Sequence, residues 1–267
     1  MTRIITALIA SPILIYIILF APPLVFGVVA FAAMLICMYE FFSFTDVQKI
    51  PLLAATGYIL GSIIFLSFYY VTAKLTLIFP IGALLVLTAA LLSRIDFDRA
   101  LHAVTSTLFG AWYVGGLLGY VLAIRLIDPS HKIGAYLLLT LFIIIWVGDT
   151  VAFVVGKNFG RHPLTVVSPR KTVEGSIGGL IFSMLAAIPC KLFFFPDVTI
   201  LHAVALGGVV GLMGQIGDLA ESLLKRSVKL KDSGSILPGH GGMLDRLDSL
   251  LFGAPAMYYY VYFLLYR

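Results

Sequence analysis

Charge is scarce in this sequence. Of its 267 residues only 12% are Asp, Glu, Lys or Arg, and 61% are apolar, whereas a soluble domain carries about 25% charged residues. Mean hydropathy is +1.06. A water-soluble globular fold is excluded. Cysteine is almost absent: Cys37 and Cys190 both lie inside apolar runs, where they read as small core residues, with no disulfide framework and no thiolate metal site. Weakly alternating segments, the mark of a transmembrane barrel, are missing as well. Long unbroken runs such as Ile4–Phe20 and Tyr136–Val147 stand in their place. Arg3 before an apolar run resembles a signal peptide, but no small-residue cleavage site follows, so the run is expected to be a first span. Neither Gly-x4-Gly-Lys-Ser/Thr nor a Rossmann glycine string occurs, which removes the common soluble nucleotide folds. No internal repeat is evident, which counts against an inverted-repeat transporter.

What is present is a succession of apolar runs of membrane-spanning length. They predict an all-α, polytopic integral membrane protein of about nine transmembrane helices, near 3–20, 23–45, 52–70, 75–93, 100–126, 133–156, 174–195, 200–226 and 246–266. Most connections are short. The exceptions, Gly156–Thr172 and Arg226–Asp245, are polar. With nine spans, 13 of the 18 Lys and Arg fall on the side of the N-terminus and these two loops, and 5 on the other. Cytoplasmic loops are enriched in such residues, so the N-terminus and both long loops are placed in the cytoplasm and the C-terminus outside. The same rule accounts for the net charge of +5 without a nucleic-acid partner. Residues 1–130 are nearly featureless apolar helices, read as scaffold and lipid access. Residues 131–267 carry the polar chemistry: eight of the 13 carboxylates lie between 146 and 248.

Asp149, in Trp146-Val147-Gly148-Asp149-Thr150, has apolar stretches on both sides. A carboxylate at membrane depth is costly and is a functional candidate by default; the plainer reading is a helix-end Asp paired to a Lys. Further on, Gly207, Gly211 and Gly214 share one helix face, and tight packing against a neighbour suffices to explain them. Asp218, Glu221 and Lys225 then follow at i, i+3, i+7, again on one face. Glu221 with Lys225 makes a structural i,i+4 pair. Asp218, one turn deeper, has no partner of its own and needs a cation from elsewhere.

The segment Ser222–Asp248 is the densest. Lys225, Arg226, Lys229 and Lys231 precede a Gly-rich loop, and Asp245 and Asp248 open the next helix. Basic side chains with exposed Gly amides suit phosphate. Paired carboxylates offer the hard oxygens that Mg²⁺ takes beside substrate phosphates. A basic surface facing anionic lipid heads is the plainer alternative, but it gives no reason for His240-Gly241-Gly242 ahead of two aspartates. Ser168-Pro169-Arg170-Lys171-Thr172 adds cations and hydroxyls just before a helix N-terminus, although Thr172 also reads as a simple cap.

These residues resemble the signature of the phosphatidate cytidylyltransferases: Ser-x2-Lys-Arg-x4-Lys-Asp, a small residue, Leu-Pro-x-His-Gly-Gly, a hydrophobe, then x-Asp-Arg-x-Asp. Every fixed position is matched, from Ser222, Lys225, Arg226, Lys231, Asp232 and Gly234 through Leu237, Pro238, His240, Gly241, Gly242 and Met243 to Asp245, Arg246 and Asp248. Gln215-Ile216-Gly217-Asp218, Asp149-Thr150 and Ser168–Thr172 are similar to that family too; residues 1–130 match only in hydropathy and length. The resemblance implies transfer of the cytidylyl group of CTP to phosphatidic acid, with Mg²⁺ and, in such families, a second, monovalent cation. It places catalysis on Asp218, Asp245, Lys225 and Arg226. Substrate binding falls to Ser168, Lys171, Thr172, Lys231, Asp232, His240 and Arg246, and metal binding to Asp218, Asp245, Asp149 and Asp248. The expected setting is the inner or cell membrane, with the site facing the cytoplasm among membrane lipids. A homodimer is left open. The related CDP-alcohol phosphotransferases carry Asp-Gly-x2-Ala-Arg, and this chain has no Asp-Gly pair. A CTP-dependent lipid kinase is the nearest enzymatic alternative; a cation-coupled transporter is the alternative from another class.

Overall fold

The structure, a computed structural model, describes residues 2–69, 75–234 and 241–265. Its regular elements among these residues are all helical: α1 (Thr2–Phe20), α2 (Pro23–Phe44), α3 (Pro51–Ser67), α4 (Leu75–Leu92), α5 (Phe97–Gly110), α6 (Leu117–Arg125), α7 (Ile133–Phe159), α8 (Val173–Phe194), α9 (Ile200–Ser227) and α10 (Leu244–Tyr260). The run expected at 100–126 is one rod, in which α5 passes through a wider π turn, Ala111–Gly116, into α6. A second π turn, Val261–Leu265, extends α10.

Local chemistry sets the boundaries. Pro23 and Pro51 stand at the first helical positions of α2 and α3, where a missing N–H costs nothing. Thr172 and Thr199 cap α8 and α9, accepting from Gly175 N at 3.1 Å and His202 N at 3.3 Å.

Among the described residues, five stretches are long and apolar enough to cross a membrane: α2, the α5–α6 rod, α7, α8 and α9. Large apolar side chains point outward over much of the surface, with Leu91 83% and Phe193 81% exposed. Soluble monomers rarely leave such contiguous apolar patches uncovered. The chain is a multi-pass membrane protein.

Packing runs α7 on α8, α8 on α9 and α9 on α10, while α10 also meets α6, α7 and α2. The glycine face of α9 does what its spacing predicts. A Cβ at Gly207 would stand 2.6 Å from the Ser183 carbonyl oxygen of α8, and one at Gly211 would stand 2.5 Å from Ser183 Cβ. In the first half, Phe41, Phe42, Met38, Ile64 and Phe65 are fully buried around the α2–α3 contact. The polar segments all emerge at one end of the α7–α10 group, which is what assembles the site.

Candidate active site

The loop between α7 and α8 is folded on itself. Leu164 N donates to Lys171 O at 2.8 Å, Val173 N to His162 O at 2.9 Å and Lys171 N to Ser168 O at 3.0 Å. Glu174, in the first turn of α8, accepts from the backbone N–H groups of Arg161 and His162. Lys171 is thereby presented at the head of α8. Ser168 and Thr172 contribute structure at this point: one closes the turn, the other caps the helix.

α8 and α9 are locked together next to it. Ser176 Oγ donates to Gln215 Oε1, and Gln215 Nε2 donates to Ser176 O at 3.0 Å. One turn on, Lys171 Nζ pairs with Asp218, each side chain 31% exposed. The cation that Asp218 lacks on its own helix comes from the other polar loop. Asp149 on α7 and Asp248 on α10 both lie within electrostatic reach of Asp218. Asp218, paired with Lys171, thus has a second carboxylate from α7 and a third from α10 within reach.

A second cluster lies further along α9. Lys225 Nζ donates to Glu221 Oε2 at 2.8 Å and also pairs with Asp245; all three side chains are nearly or fully buried. Asp245 further accepts from Ser233 N at 3.0 Å and Gly242 N at 2.9 Å. Asp248 lies within reach of Glu221 as well as Asp218 and so connects the clusters.

The four carboxylates expected around one ion are divided. Asp218, Asp149 and Asp248 share one region, whereas Asp245 faces Lys225 and two backbone amides. Among the described residues, no three Asp, Glu, His or Cys side chains stand as a ready ligand set for a metal. The donor chemistry nevertheless fits Mg²⁺, which takes one or two carboxylates and completes its shell with water and phosphate oxygens. Asp149 and Asp248 beside the Lys171–Asp218 pair leave negative charge for such an ion to neutralise.

Of the expected phosphate ligands, Lys225 is buried against carboxylates. Arg226 donates to Leu230 O at 3.0 Å from an exposed position, and Lys231, Asp232 and Arg246 are exposed at the rim. His240 lies outside the described residues. One participant went unnoticed in the sequence: Glu40 of α2, buried, which accepts from Met243 N at 2.9 Å and Leu244 N at 2.8 Å. The signal was available, since Glu40 interrupts an apolar run just as Asp149 does.

Comparison with known proteins follows this geometry. A family model described as the cytidylyltransferase family matches residues 1–264. The phosphatidate cytidylyltransferase of Staphylococcus aureus (strain COL) is 47% identical over 129 residues, covering 46% of this chain and 48% of its own length. That of Staphylococcus haemolyticus is 44% identical over 129 residues, with the same coverage of each. The chain spans about half the length of these curated relatives. The phosphatidate cytidylyltransferase of Synechocystis sp. is 33% identical over 251 residues, 85% of this chain and 84% of its own.

Proposed function

Because the chain belongs to the cytidylyltransferase family, we propose that it transfers the cytidylyl group of CTP to phosphatidic acid, giving CDP-diacylglycerol and pyrophosphate. The observation that carries this reading is the half-exposed Lys171–Asp218 pair beside Asp149 and Asp248. Both substrates are phosphate anions, one soluble and one anchored in lipid. A site for them needs a cation that can let go of its carboxylate and a carboxylate that can accept a metal. An ion pair open to solvent offers both at little cost, being worth about 0–1 kcal/mol.

Asp218, Asp149 and Asp248 would hold Mg²⁺, which supplies charge neutralisation for the phosphates when bound. Lys171 exchanges Asp218 for a phosphate oxygen. Arg226, Lys231 and Arg246 draw the second polyanion to the rim. Lys225 acts at one remove: it fixes Asp245, and Asp245 fixes the loop through Ser233 N and Gly242 N. A phosphatidate oxygen attacks the α-phosphorus in line. A new P–O bond forms, the α–β anhydride bond breaks, and its electron pair leaves with pyrophosphate. The nucleophile is already an anion at neutral pH, so no general base is required; positioning and charge stabilisation are the catalytic terms.

Detergent-purified protein supplied with phosphatidic acid and an α-thio-substituted CTP tests the reading. One displacement inverts configuration at phosphorus. Retention, or a cytidylylated protein trapped without lipid, would replace direct attack by a covalent route, for which His240 is the candidate nucleophile. No lipid product at all would sink the reading.

Our proposed topology has nine spans, with the loops at 156–173 and 226–245 cytoplasmic, as the charge asymmetry favours. A single cysteine at Ser168, in a chain lacking Cys37 and Cys190, should resist an impermeant thiol reagent in intact cells. Labelling from outside would reverse the orientation.

A further inference from the structure

Glu40 belongs to the half of the chain in which the sequence offered no site residue. Its side chain is 1% exposed. Oε1 accepts from Met243 N at 2.9 Å, and Oε2 accepts from Leu244 N at 2.8 Å and from Ser233 Oγ at 3.1 Å. The two amides belong to the start of α10, where N–H groups have no partner within the helix. Met243, at the cap position, makes no side-chain capping bond. A carboxylate from another helix, some two hundred residues earlier in the chain, does that work instead, and a helix N-terminus favours a negative group.

The fit is close enough to dictate two neighbouring residues. A Cβ at Gly242 would stand 2.6 Å from Glu40 Oε2 and 2.0 Å from Ser233 Oγ, and a Cβ at Gly234 would stand 2.8 Å from Glu40 Oε1. Neither position tolerates a side chain while Glu40 is in place. The same knot includes Asp245, which accepts from Ser233 N and Gly242 N on the other side. The loop from α9 to α10 is therefore fastened at Ser233 and again at Gly242–Leu244, with Glu40 holding both fastenings.

We propose that Glu40 is a positioning residue for the cytidylyl transfer: it caps α10 from the scaffold half and sets Asp245 and Asp248 in register with Asp218 and Lys225 of α9. The proposal rests on the functional reading above. A carboxylate that merely stabilised the fold would lower the fraction of folded protein and leave the kcat of the folded fraction unchanged.

Glu40→Gln keeps the shape but turns an amide NH₂ toward an N–H donor. In purified, monodisperse protein, hydrogen exchange at Met243 and Leu244 should quicken about tenfold or more, with α7 and α8 unaffected. The kcat should fall roughly 10–100-fold, as expected for a lost charge-assisted hydrogen bond, with KM for CTP little changed. Ser233→Ala, which deletes one donor, should lower kcat several-fold in the wild type and add nothing to Glu40→Gln, because the two act through one contact. Wild-type kcat and exchange in Glu40→Gln, or losses that simply add, would overturn the proposal. Should Glu40→Gln fail to insert, Ser233→Ala alone decides: reduced kcat at unchanged KM supports the proposal, and wild-type kinetics refute it. Wild-type protein inactive toward CTP and phosphatidic acid would instead refute the functional reading, and the exchange measurement would still report whether Glu40 holds α10.

Discussion

Two lysine–carboxylate contacts sit about two turns apart along α9, and they differ in almost everything except their chemistry. Lys171 reaches Asp218 from a separate loop, and each partner is 31% exposed. Lys225 lies on α9 itself, 10% exposed, between a fully buried Glu221 and an Asp245 that is 7% exposed. Water screens the first pair, which is therefore weak and replaceable. The second has lost its hydration, so each charge depends on the others, and removing one leaves an uncompensated charge in a dry place. Burial, more than residue type, separates a pair that can open for substrate from one that fixes the backbone around it.

Mutation of the buried lysine should break this contrast most severely. Lys225→Met leaves Glu221 and Asp245 without their cation. The expected loss is about 3–5 kcal/mol, or roughly 10 °C in the midpoint of thermal unfolding for a chain of this size, and turnover is lost with it. An unchanged midpoint would show that the cluster is hydrated after all.

Asp218→Asn should act in the opposite way. Its unfolding midpoint is expected to stay within a few degrees of wild type, since a half-exposed pair contributes little. Turnover at saturating Mg²⁺ should fall more than about tenfold, the cost of losing a metal ligand. Retention of activity would remove Asp218 from the metal set.

Lys171→Ala should have the smallest effect. A lost charge-assisted contact to phosphate is worth about 1.5–3 kcal/mol, which raises KM for CTP or for lipid roughly tenfold or somewhat more. Thermal stability should not change. Unaltered kinetics for both substrates would return Lys171 to a surface role.

Apolar run length and turn chemistry made most of the helices readable from sequence. The starts expected near 23, 52, 174 and 200 fall within one residue of those of α2, α3, α8 and α9, and Thr172 caps α8. The i, i+3, i+7 spacing placed Asp218 and Lys225 on one face, and the need of Asp218 for an outside cation followed from its position. Helical spacing carries only local information, however. It could not show that Asp245 faces Lys225 and two amides, because those partners come from α9 and from the returning loop. Nor could it join Glu40 to Met243 and Leu244, 203 and 204 residues away. The first half reads as featureless because Glu40 meets two backbone amides and one serine hydroxyl far along the chain, and backbone groups leave no mark in a sequence. The π turn at Ala111–Gly116 was hidden for a related reason: it is a matter of helical pitch, and the apolar pattern on either side runs on unbroken.

The reach of Glu40 also imposes an order on biogenesis. α2 leaves the ribosome early, and the amides that complete it belong to α10, about two hundred residues later. At about 5–20 residues per second, roughly 10–40 s separate the synthesis of Glu40 from that of its donors. Through that interval the nascent α2 holds a carboxylate that the bilayer interior disfavours, so its final depth and rotation are settled only when α10 arrives. A chain that ended before Met243 would hold most of its apolar helices yet leave Glu40 without its two amide partners.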